Sequence, residues 1–263
     1  ATARSPIGRA FKGSMAEIRP DDLSAQIVNR VLEKVPELPT EEIEDLMRGT
    51  GSPGGEQGFN IGRATAVLAG LGDVPGTTVN RYCSSSLQTI RMAAHAIKAG
   101  EGDAFIAAGV ECVSRYGKGN ADSLPDTANP IFKAPGERSK LGAEGGHGDW
   151  TPPDGLPDLF IAMGQTAENV AELKGVSREA MDEYGVMSQN KAEAAISRGF
   201  FEMDITPVTM PDGTVVTTDD GPRAGVTLDA VSQLNPVFRP DGRVTAGNAC
   251  PLNDVAAAVV VMS

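Results

Sequence analysis

Apolar residues recur along the chain at strand-like and helix-like spacings in turn, which predicts an α/β fold. Leu23, Ile27 and Val31 fall on one side of a helix that begins near Pro20. The small residues of segment 60–71 predict a second helix that packs closely on a sheet. Short apolar runs predict strands at 46–50, 77–79, 103–109 and 255–262. Because strands and helices alternate, we expect a layered α/β domain with a largely parallel sheet.

Cys83 lies where the strand predicted at 77–79, expected to be buried, gives way to a helix. Helical spacing continues over the apolar positions that follow, which are Leu87, Ile90, Ala94 and Ile97. A thiol at a helix start faces unpaired N–H groups and the positive end of the helix dipole, and both favour a thiolate. The position therefore suits a nucleophile. However, most free cysteines are small buried hydrophobes, so the joint alone leaves both interpretations open.

The alternation of strands and helices stops after Arg115. Residues 116–159 are rich in Gly, Pro, Asp and Asn, have little periodicity and are too long for an ordinary loop. This stretch is expected to be functional, ordered by a partner or part of an inserted subdomain. The elements predicted beyond it are two helices at 164–173 and 177–198 and a hairpin at 205–218.

Composition excludes several classes of function. The formal net charge of -12 disfavours binding to nucleic acid or to an anionic membrane surface. No apolar run is as long as a membrane span, and the first ten residues lack the apolar core of a signal peptide. The three cysteines form neither a disulfide framework nor a zinc motif, which fits the reducing cytoplasm.

Five segments, in order along the chain, resemble the thiolases, which are acyl-CoA acetyltransferases. They are RSPIG (4–8), NRYCSSSL (80–87), GVECVSR (109–115), MGQTAENVA (163–171) and VTAGNACPLND (244–254). Each segment alone is a modest signal, but five in order along the whole chain are a strong one. The segment at 80–87 resembles the one that carries the nucleophile of the family.

The resemblance implies a thiolase-like layered α/β/α half with a mixed, mostly parallel sheet and an inserted α+β loop domain. On the pattern of the family, residues 1–115 and 239–263 form the N-terminal α/β domain, and residues 116–238 form the loop domain. The chain would then stop where a second, similarly folded half begins. We therefore expect the C-terminal half of a thiolase to be absent from this chain.

The resemblance also implies an acyltransferase with Cys83 as its nucleophile. The thiolate would attack a 3-ketoacyl-CoA, form an acyl-cysteine and pass the acyl group to free CoA; the reverse reaction is a Claisen condensation. Coenzyme A is then a co-substrate, and no metal or permanently bound cofactor is expected. The expected partners are acyl-CoA, CoA and further copies of the same chain, in a homodimer or homotetramer.

The base that would activate Cys83 is not evident in the sequence. His95 follows Cys83 by 12 residues on the same predicted helix, which places it roughly 18 Å away. His147 lies in a glycine-rich loop and remains a candidate. In the family, the activating histidine and a second cysteine belong to the C-terminal half, so this chain alone is expected to be inactive. Cys112 is most simply structural.

Three further residues are implied by the resemblance to line the coenzyme A site. Arg223 matches an arginine by the adenine and phosphate end, and Met163 would form a wall of the pocket. Cys250 stands where thiolases commonly carry a serine near the pantetheine. Ala162 replaces a histidine of the acetoacetyl-CoA-specific members, which points to a bulkier 3-ketoacyl substrate. Asn248 is expected to be structural in a tight turn, with support of the Cys83 loop as the alternative.

Two other functions share parts of this pattern. A ketoacyl synthase-type condensing enzyme would have the same fold and cysteine but would condense with decarboxylation. A non-catalytic thiolase-like subunit would bind acyl groups or lipids without a nucleophile. Segments 163–171 and 244–254 favour a thiolase, and the presence of Cys83 argues against the non-catalytic alternative.

Overall fold

A computed structural model describes residues 1–118, 128–145 and 150–263. The chain divides into two compact units. The sheet unit comprises Ala1–Leu124, Phe201–Gly221 and Leu252–Ser263. The helical unit comprises Pro125–Phe200 and Pro222–Pro251. Along the described parts of the chain, every helix is too short or too polar to cross a bilayer.

The helices and strands follow the alternation expected from the sequence. The strands are β1 (Thr2–Arg4), β2 (Gly8–Arg9), β3 (Asp45–Gly49), β4 (Gly76–Val79), β5 (Ala104–Cys112), β6 (Val208–Thr209), β7 (Val215–Val216) and β8 (Asn253–Met262). The helices of the sheet unit are α1 (Pro20–Glu33), α2 (Ile61–Leu68) and α3 (Ser85–Ala99). Those of the helical unit are α4 (Lys133–Glu144), α5 (Met163–Lys174), α6 (Arg178–Ser197) and α7 (Leu228–Ser232).

The main sheet is mixed, as expected, and has the strand order β1-β8-β5-β3-β4, with β2 also paired to β8. Strand β3 runs parallel to β4 and β5, whereas β8 runs antiparallel to β1, β2 and β5. Among the described strands the antiparallel pairings therefore outnumber the parallel ones, and the sheet is not mostly parallel as expected. The long strands β5 and β8 pair from Ala104 opposite Met262 to Cys112 opposite Asp254. The carboxyl ends of β3, β4 and β5 therefore lie at the same edge of the sheet. Strands β6 and β7 form a separate small hairpin.

Helices cover both faces of this sheet, which makes the sheet unit a layered α/β/α structure. Successive strand residues point to opposite faces. Leu46 and Ile106 accordingly join the core beneath α1 and α2. Their neighbours Met47 and Phe105 join the core beneath α3.

Helix α3 forms where the sequence predicts it, but it buries a different face. Leu87 and Ile90 belong to the apolar positions at helical spacing, yet they are 68% and 36% exposed. The buried positions of α3 are small or hydroxylated: Ser85, Thr89, Ala93 and Ala96. The reason is that α3 approaches the sheet too closely for large side chains, as its contact with Gly49 shows.

Gly49, the last residue of β3, lies directly beneath the first turn of α3. A Cβ atom on Gly49 would lie 2.5 Å from the carbonyl carbon of Ser85 and 2.6 Å from the amide nitrogen of Ser86. Both distances are well inside van der Waals contact, and backbone atoms cannot rotate away as a side chain can. The absence of a side chain at this position therefore sets the height of α3 above the sheet.

Helix α4 was not expected, because segment 116–159 shows little periodicity. Only Pro135 is buried among its residues, so no apolar stripe marks the helix in the sequence. Gly145, which directly follows α4, has a φ of 80° and ends the helix. His147, which follows, lies outside the described residues.

Arg48 is a buried cation on β3. Its side chain is fully buried, and its guanidinium donates to the hydroxyls of Ser24 and Thr65. Its Nε atom has no acceptor among the described residues. Burial lowers the pKa of Arg48 from 12.5 to about 9. Because the folded state then binds this proton less tightly than the unfolded state, Arg48 destabilises the fold at neutral pH, and the penalty falls as the pH rises above about 9.

We expect Gly49→Ala to lower the free energy of unfolding by about 1–3 kcal/mol, because the first turn of α3 must move away from β3. Gly136→Ala in α4 is the matched control, since a Cβ atom there meets nothing within 4 Å. The control should raise the free energy of unfolding by about 0.4–1 kcal/mol. Urea denaturation followed by circular dichroism measures both. An unchanged midpoint for Gly49→Ala would contradict the close approach of α3.

We expect Arg48→Met to raise the free energy of unfolding at pH 7 by about 1–4 kcal/mol, because an apolar chain of similar length replaces a buried, uncompensated charge. The control is Arg30→Met, which removes an exposed pair with Glu33 at 2.7 Å. That change should stay within about 1 kcal/mol. The measurement is urea denaturation of the three proteins side by side, and a destabilised Arg48→Met would refute the prediction.

Candidate active site

Cys83 lies in a 3₁₀ turn, Tyr82–Ser84, between the end of β4 and the start of α3. The structure thus places it at the strand–helix joint expected from the sequence. The interpretation of Cys83 as a buried hydrophobe is wrong, because the residue is exposed. Strand β4 is itself half-buried at the edge of the sheet and is not the buried strand expected from its β-branched residues. An edge position leaves the turn that follows it open to solvent.

The residue before the cysteine has an unusual backbone. Tyr82 has a φ of 47°, in the left-handed region that bulky residues rarely occupy. Its N–H donates to Oδ1 of Asn80 at 2.8 Å, and its carbonyl oxygen accepts the hydroxyl of Ser85 at 2.6 Å. Both backbone polar groups of Tyr82 are therefore held by side chains. Strain of this kind persists only where the surroundings fix it, and it is common at functional sites.

Ser85 closes the turn from the buried side. Its side chain is 3% exposed, and its Oγ atom accepts the N–H of Arg81 at 2.8 Å. One hydroxyl thus joins the residues on both sides of the bend and presents Cys83 on the outside of it. Sequence reasoning assigned Ser85 only to the first turn of the helix.

No side chain of the described sheet unit forms a hydrogen bond with the thiol of Cys83. His95 lies on the exposed side of α3, about three turns further along the chain, so it does not supply a base. Cys112 is fully buried, and its burial raises the pKa of its thiol well above the ordinary value. Cys112 is therefore a neutral core residue, in agreement with the structural role expected for it.

Arg223 lies beside α6 in the helical unit. Its backbone N–H donates to Oε1 of Gln189 at 3.1 Å, and the N–H of Gly225 donates to Glu193 at 3.2 Å. The backbone of this loop is thus held on α6, while the guanidinium of Arg223 is exposed and has no partner in the described part of the helical unit. A fixed backbone with an exposed cation suits the binding of an anionic group.

Met163 and Cys250 are also exposed on the helical unit. Met163 is the first residue of α5 and is 71% exposed. Its neighbour Gly164 lies against the ring of Phe238, which fixes the start of the helix. The Sγ atom of Cys250 lies 3.4 Å from the carbonyl oxygen of Pro251. The described contacts do not join Arg223, Met163 and Cys250 to one another, and Cys83 belongs to the other unit.

A buried polar network holds α5 in place. Glu168 is 2% exposed and accepts the N–H groups of Arg243 at 2.9 Å and of Val244 at 2.8 Å. Arg239 bonds to the same face of the helix, through Gln165, Asn169 and Glu172. Two of the five thiolase-like segments, 163–171 and 244–254, are therefore bound to each other. Sequence reasoning missed this role, because a charged helix face suggests solvent.

Asn248 has the structural role expected for it within the helical unit. Its Oδ1 atom accepts the N–H of Thr245 at 2.8 Å, and its Nδ2 atom donates to Asp182 at 2.7 Å. Asp182 is 1% exposed and also pairs with Arg178 at 2.6 Å. The turn before Cys250 is thus tied to α6.

Acidic, cysteine and histidine side chains do not gather into a cluster of three or more that could hold a metal ion in the ranges the structure describes. The chemistry that these residues offer is that of an exposed thiol at a helix start in the sheet unit. The helical unit adds an exposed guanidinium and an exposed thioether.

Comparison with known proteins gives the family of the chain. Residues 1–263 match the family model described as thiolase, N-terminal domain. The chain is 40% identical to a beta-ketoadipyl-CoA thiolase of Acinetobacter baylyi and 38% identical to a 3-ketoacyl-CoA thiolase of Bacillus subtilis, over 99% of its own length and 64% of theirs. It is also 38% identical to an acetyl-CoA acetyltransferase of Pseudomonas aeruginosa, over 100% of its length and 65% of that protein. The chain therefore belongs to the thiolase family and matches the N-terminal domain of that family from end to end.

Proposed function

We propose that this protein is an acyltransferase that cleaves a 3-ketoacyl-CoA with coenzyme A, or catalyses the reverse Claisen condensation. The observation that carries the proposal is the exposed thiol of Cys83 in a fixed turn at the start of α3. Relatives that match nearly the whole chain are named beta-ketoadipyl-CoA thiolase, 3-ketoacyl-CoA thiolase and acetyl-CoA acetyltransferase. The chain spans about 64% of the length of the first of them.

In the proposed reaction the sulfur of Cys83 is the nucleophile of the first step and the leaving group of the second. The sulfur attacks the 3-keto carbon, and the bond between C2 and C3 then breaks to release acetyl-CoA once C2 takes a proton. The acyl group remains on sulfur as a thioester. The thiol of free CoA gives up its proton and attacks this thioester, which releases the shortened acyl-CoA and restores Cys83. Backbone N–H groups at a helix start can stabilise both the thiolate and the oxyanion of each tetrahedral intermediate.

We further propose that residues 1–263 alone do not turn over substrate. The support is that no acid or base of the described sheet unit is bonded to the thiol of Cys83. A proton must move in both half-reactions, so turnover needs a base that these contacts do not supply.

Coenzyme A is proposed to bind the helical unit through Arg223, Met163 and Cys250. The exposed guanidinium of Arg223 would pair with a phosphate group, which matters in a chain whose net charge is -12. Met163 and Cys250 offer apolar, polarisable contacts for the pantetheine arm and the acyl group. The small side chain of Ala162, directly before α5, leaves room for a bulky 3-ketoacyl group.

We propose that the protein self-associates as a homodimer or homotetramer. Strand β4 pairs only with β3 among the described strands, so one of its edges is unpaired there. Apolar side chains are exposed just after it, with Tyr82 at 65% and Leu87 at 68%. Sedimentation of the full-length protein tests the proposal, and a monomer at all concentrations would refute it.

We expect the full-length protein to form an acyl adduct on the peptide that contains Cys83 when it is exposed to a 3-ketoacyl-CoA without free CoA. Cys83→Ala should abolish the adduct and lower turnover by about 10⁴-fold or more, because no other group replaces the nucleophile. Mass spectrometry of the intact and digested protein measures the adduct. Cys250→Ala is the matched control, since it removes the other exposed thiol of the chain and should keep the adduct on Cys83.

The same experiment separates the alternatives. An adduct on a peptide without Cys83 would overturn the assignment of the nucleophile. A protein that retains acyl ligand without forming an adduct would be a lipid-binding subunit. Condensation that requires loss of carbon dioxide from a malonyl donor would identify a ketoacyl synthase-type enzyme.

We expect Arg223→Met in the full-length protein to raise KM for CoA by about tenfold with little change in kcat, because the lost pair with a phosphate serves binding. The matched control is Arg198→Met, an exposed arginine of the same unit that stacks on Phe200. Steady-state kinetics at low ionic strength measures both variants. An equal rise in KM for both would show a general charge effect and refute the specific contact.

A further inference from the structure

Glu111 is the only partly exposed position of β5, and it lies near the carboxyl end of that strand. Its carboxylate accepts three hydrogen bonds. Oε2 accepts the N–H of Gly51 at 2.6 Å, while Oε1 accepts Nε2 of Gln57 at 2.7 Å and the hydroxyl of Tyr116 at 2.6 Å. The bond to Tyr116, after burial, raises the pKa of that phenol, which keeps it protonated as a donor. In the sequence, Glu111 is visible only as part of the thiolase-like segment 109–115.

Gly51 stands between Glu111 and the turn that carries Cys83. A Cβ atom on Gly51 would lie 2.9 Å from Oε2 of Glu111 and 3.6 Å from the carbonyl carbon of Tyr82. The carboxylate of Glu111 and the strained residue Tyr82 therefore both lie close to the same side of Gly51.

The neighbour of Gly51 contacts the same turn at both ends. The N–H of Thr50 donates to the carbonyl oxygen of Val79, the last residue of β4, at 3.1 Å. The carbonyl oxygen of Thr50 lies 3.3 Å from Oγ of Ser85, the first residue of α3. Thr50 thus bonds to the residues at both ends of the bend, and its neighbour Gly51 bonds to Glu111.

Gln57 locks this support to β5. Its amide nitrogen lies within hydrogen-bond distance of Oγ1 of Thr50 and the carbonyl oxygen of Ser52, both at 2.9 Å, and of Oε1 of Glu111, so three acceptors share its two N–H groups. Its amide oxygen accepts the N–H of Cys112 at 2.8 Å. Gln57 is 2% exposed, so these bonds lie away from water. The side chains of Gln57 and Glu111 therefore bond the loop after β3 to the end of β5.

We propose that Glu111 is a positioning residue for Cys83. It holds the N–H of Gly51, and through Gly51 and Thr50 it holds the Tyr82–Ser85 bend in the conformation that presents the thiol. The proposal rests on the proposed function of Cys83 as nucleophile. A purely structural carboxylate would hold a loop that does not contact the bend. Glu111 instead bonds to Gly51, whose neighbour Thr50 bonds to both ends of the bend.

The variant Glu111→Gln has nearly the same shape and tests the role of the carboxylate. Three donors converge on Glu111, and an amide has only one acceptor oxygen, so at least one donor must face the new NH₂ group. The loop at Gly51 should then move. In the full-length protein, kcat should fall by about 10- to 100-fold. KM for CoA should stay within about twofold, because the residues proposed to bind CoA belong to the helical unit.

The three cysteines of the chain provide a second readout that needs no substrate. Iodoacetamide labelling with peptide mass spectrometry should show that Cys83 reacts more slowly in Glu111→Gln relative to Cys250, which is exposed on the other unit. Cys112 is 0% exposed and reports on folding, since it should stay protected. Glu17→Gln is the matched control, because its side chain is 83% exposed, and it should change neither the kinetics nor the labelling.

A second variant approaches the same contact from the loop. Gly51→Ala keeps the carboxylate and places a Cβ atom 2.9 Å from it, so it should give the same loss of kcat and the same change in labelling. If Glu111→Gln fails to fold, Gly51→Ala decides the question with the same measurements.

The outcomes are distinguishable. If kcat and the Cys83 to Cys250 labelling ratio stay at wild-type values while Cys112 is protected, the positioning role is wrong and the proposed thiolase function is untouched. If KM rises together with a loss of Cys112 protection in Gly51→Ala as well as in Glu111→Gln, the contact serves only the fold, and the proposal is also wrong. If the wild-type protein forms no acyl adduct, the proposed function fails, whereas the labelling ratio still shows whether Glu111 holds the bend.

Discussion

The close contact between the first turn of α3 and the glycine that ends β3 is the constraint on which the site depends. Because Gly49 has no side chain, the backbone of Ser85 and Ser86 can lie directly on the strand. Gly109 on β5 leaves the same kind of space, since a Cβ atom there would overlap the hydroxyl of Ser86. Ser85 is buried as a result, and its hydroxyl can reach back to Arg81 and Tyr82. The thiol of Cys83 is exposed at the edge of the sheet where the parallel strands end, and open α/β sheets commonly bind ligands at this edge.

The sequence predicted this site as far as local signals allow. The strand–helix joint and the resemblance of segment 80–87 were sufficient to select Cys83. The apolar spacing of α3 did not reveal that Leu87 and Ile90 are exposed, because spacing cannot show that Gly49 on β3 and Gly109 on β5 let the helix approach the sheet so closely. Glu111 and Gln57 were not selected either. The one available signal was a charged residue within the apolar run of β5, and its meaning depends on a loop 60 residues earlier.

The helical unit shows a different limit of sequence reasoning. Helices α5 and α6 were predicted from their spacing and ends, but α5 is held by polar groups. Glu168 is buried and satisfied by backbone N–H groups, and Arg239 bonds to the same side of the helix. Hydropathy places such residues in solvent, whereas buried polar groups are tolerated when each has a partner. Helix α4 has one buried residue, so its sequence lacks the apolar periodicity from which a helix could have been predicted.

In the sheet unit, the described groups that position Cys83 are not groups that could accept the proton of its thiol. The bend around Cys83 is built from backbone groups and neutral side chains, namely Asn80, Ser85, Thr50 and Gln57, with the Glu111 carboxylate one residue behind it. None of the described groups of this unit is placed to take the proton of the thiol. An ionised carboxylate in direct contact with the sulfur would oppose a thiolate, whereas one that acts through the Gly51 amide fixes the bend at a distance from the negative charge. The arrangement therefore fixes the position of the Cys83 thiol, and the described groups of this unit do not supply a base for it.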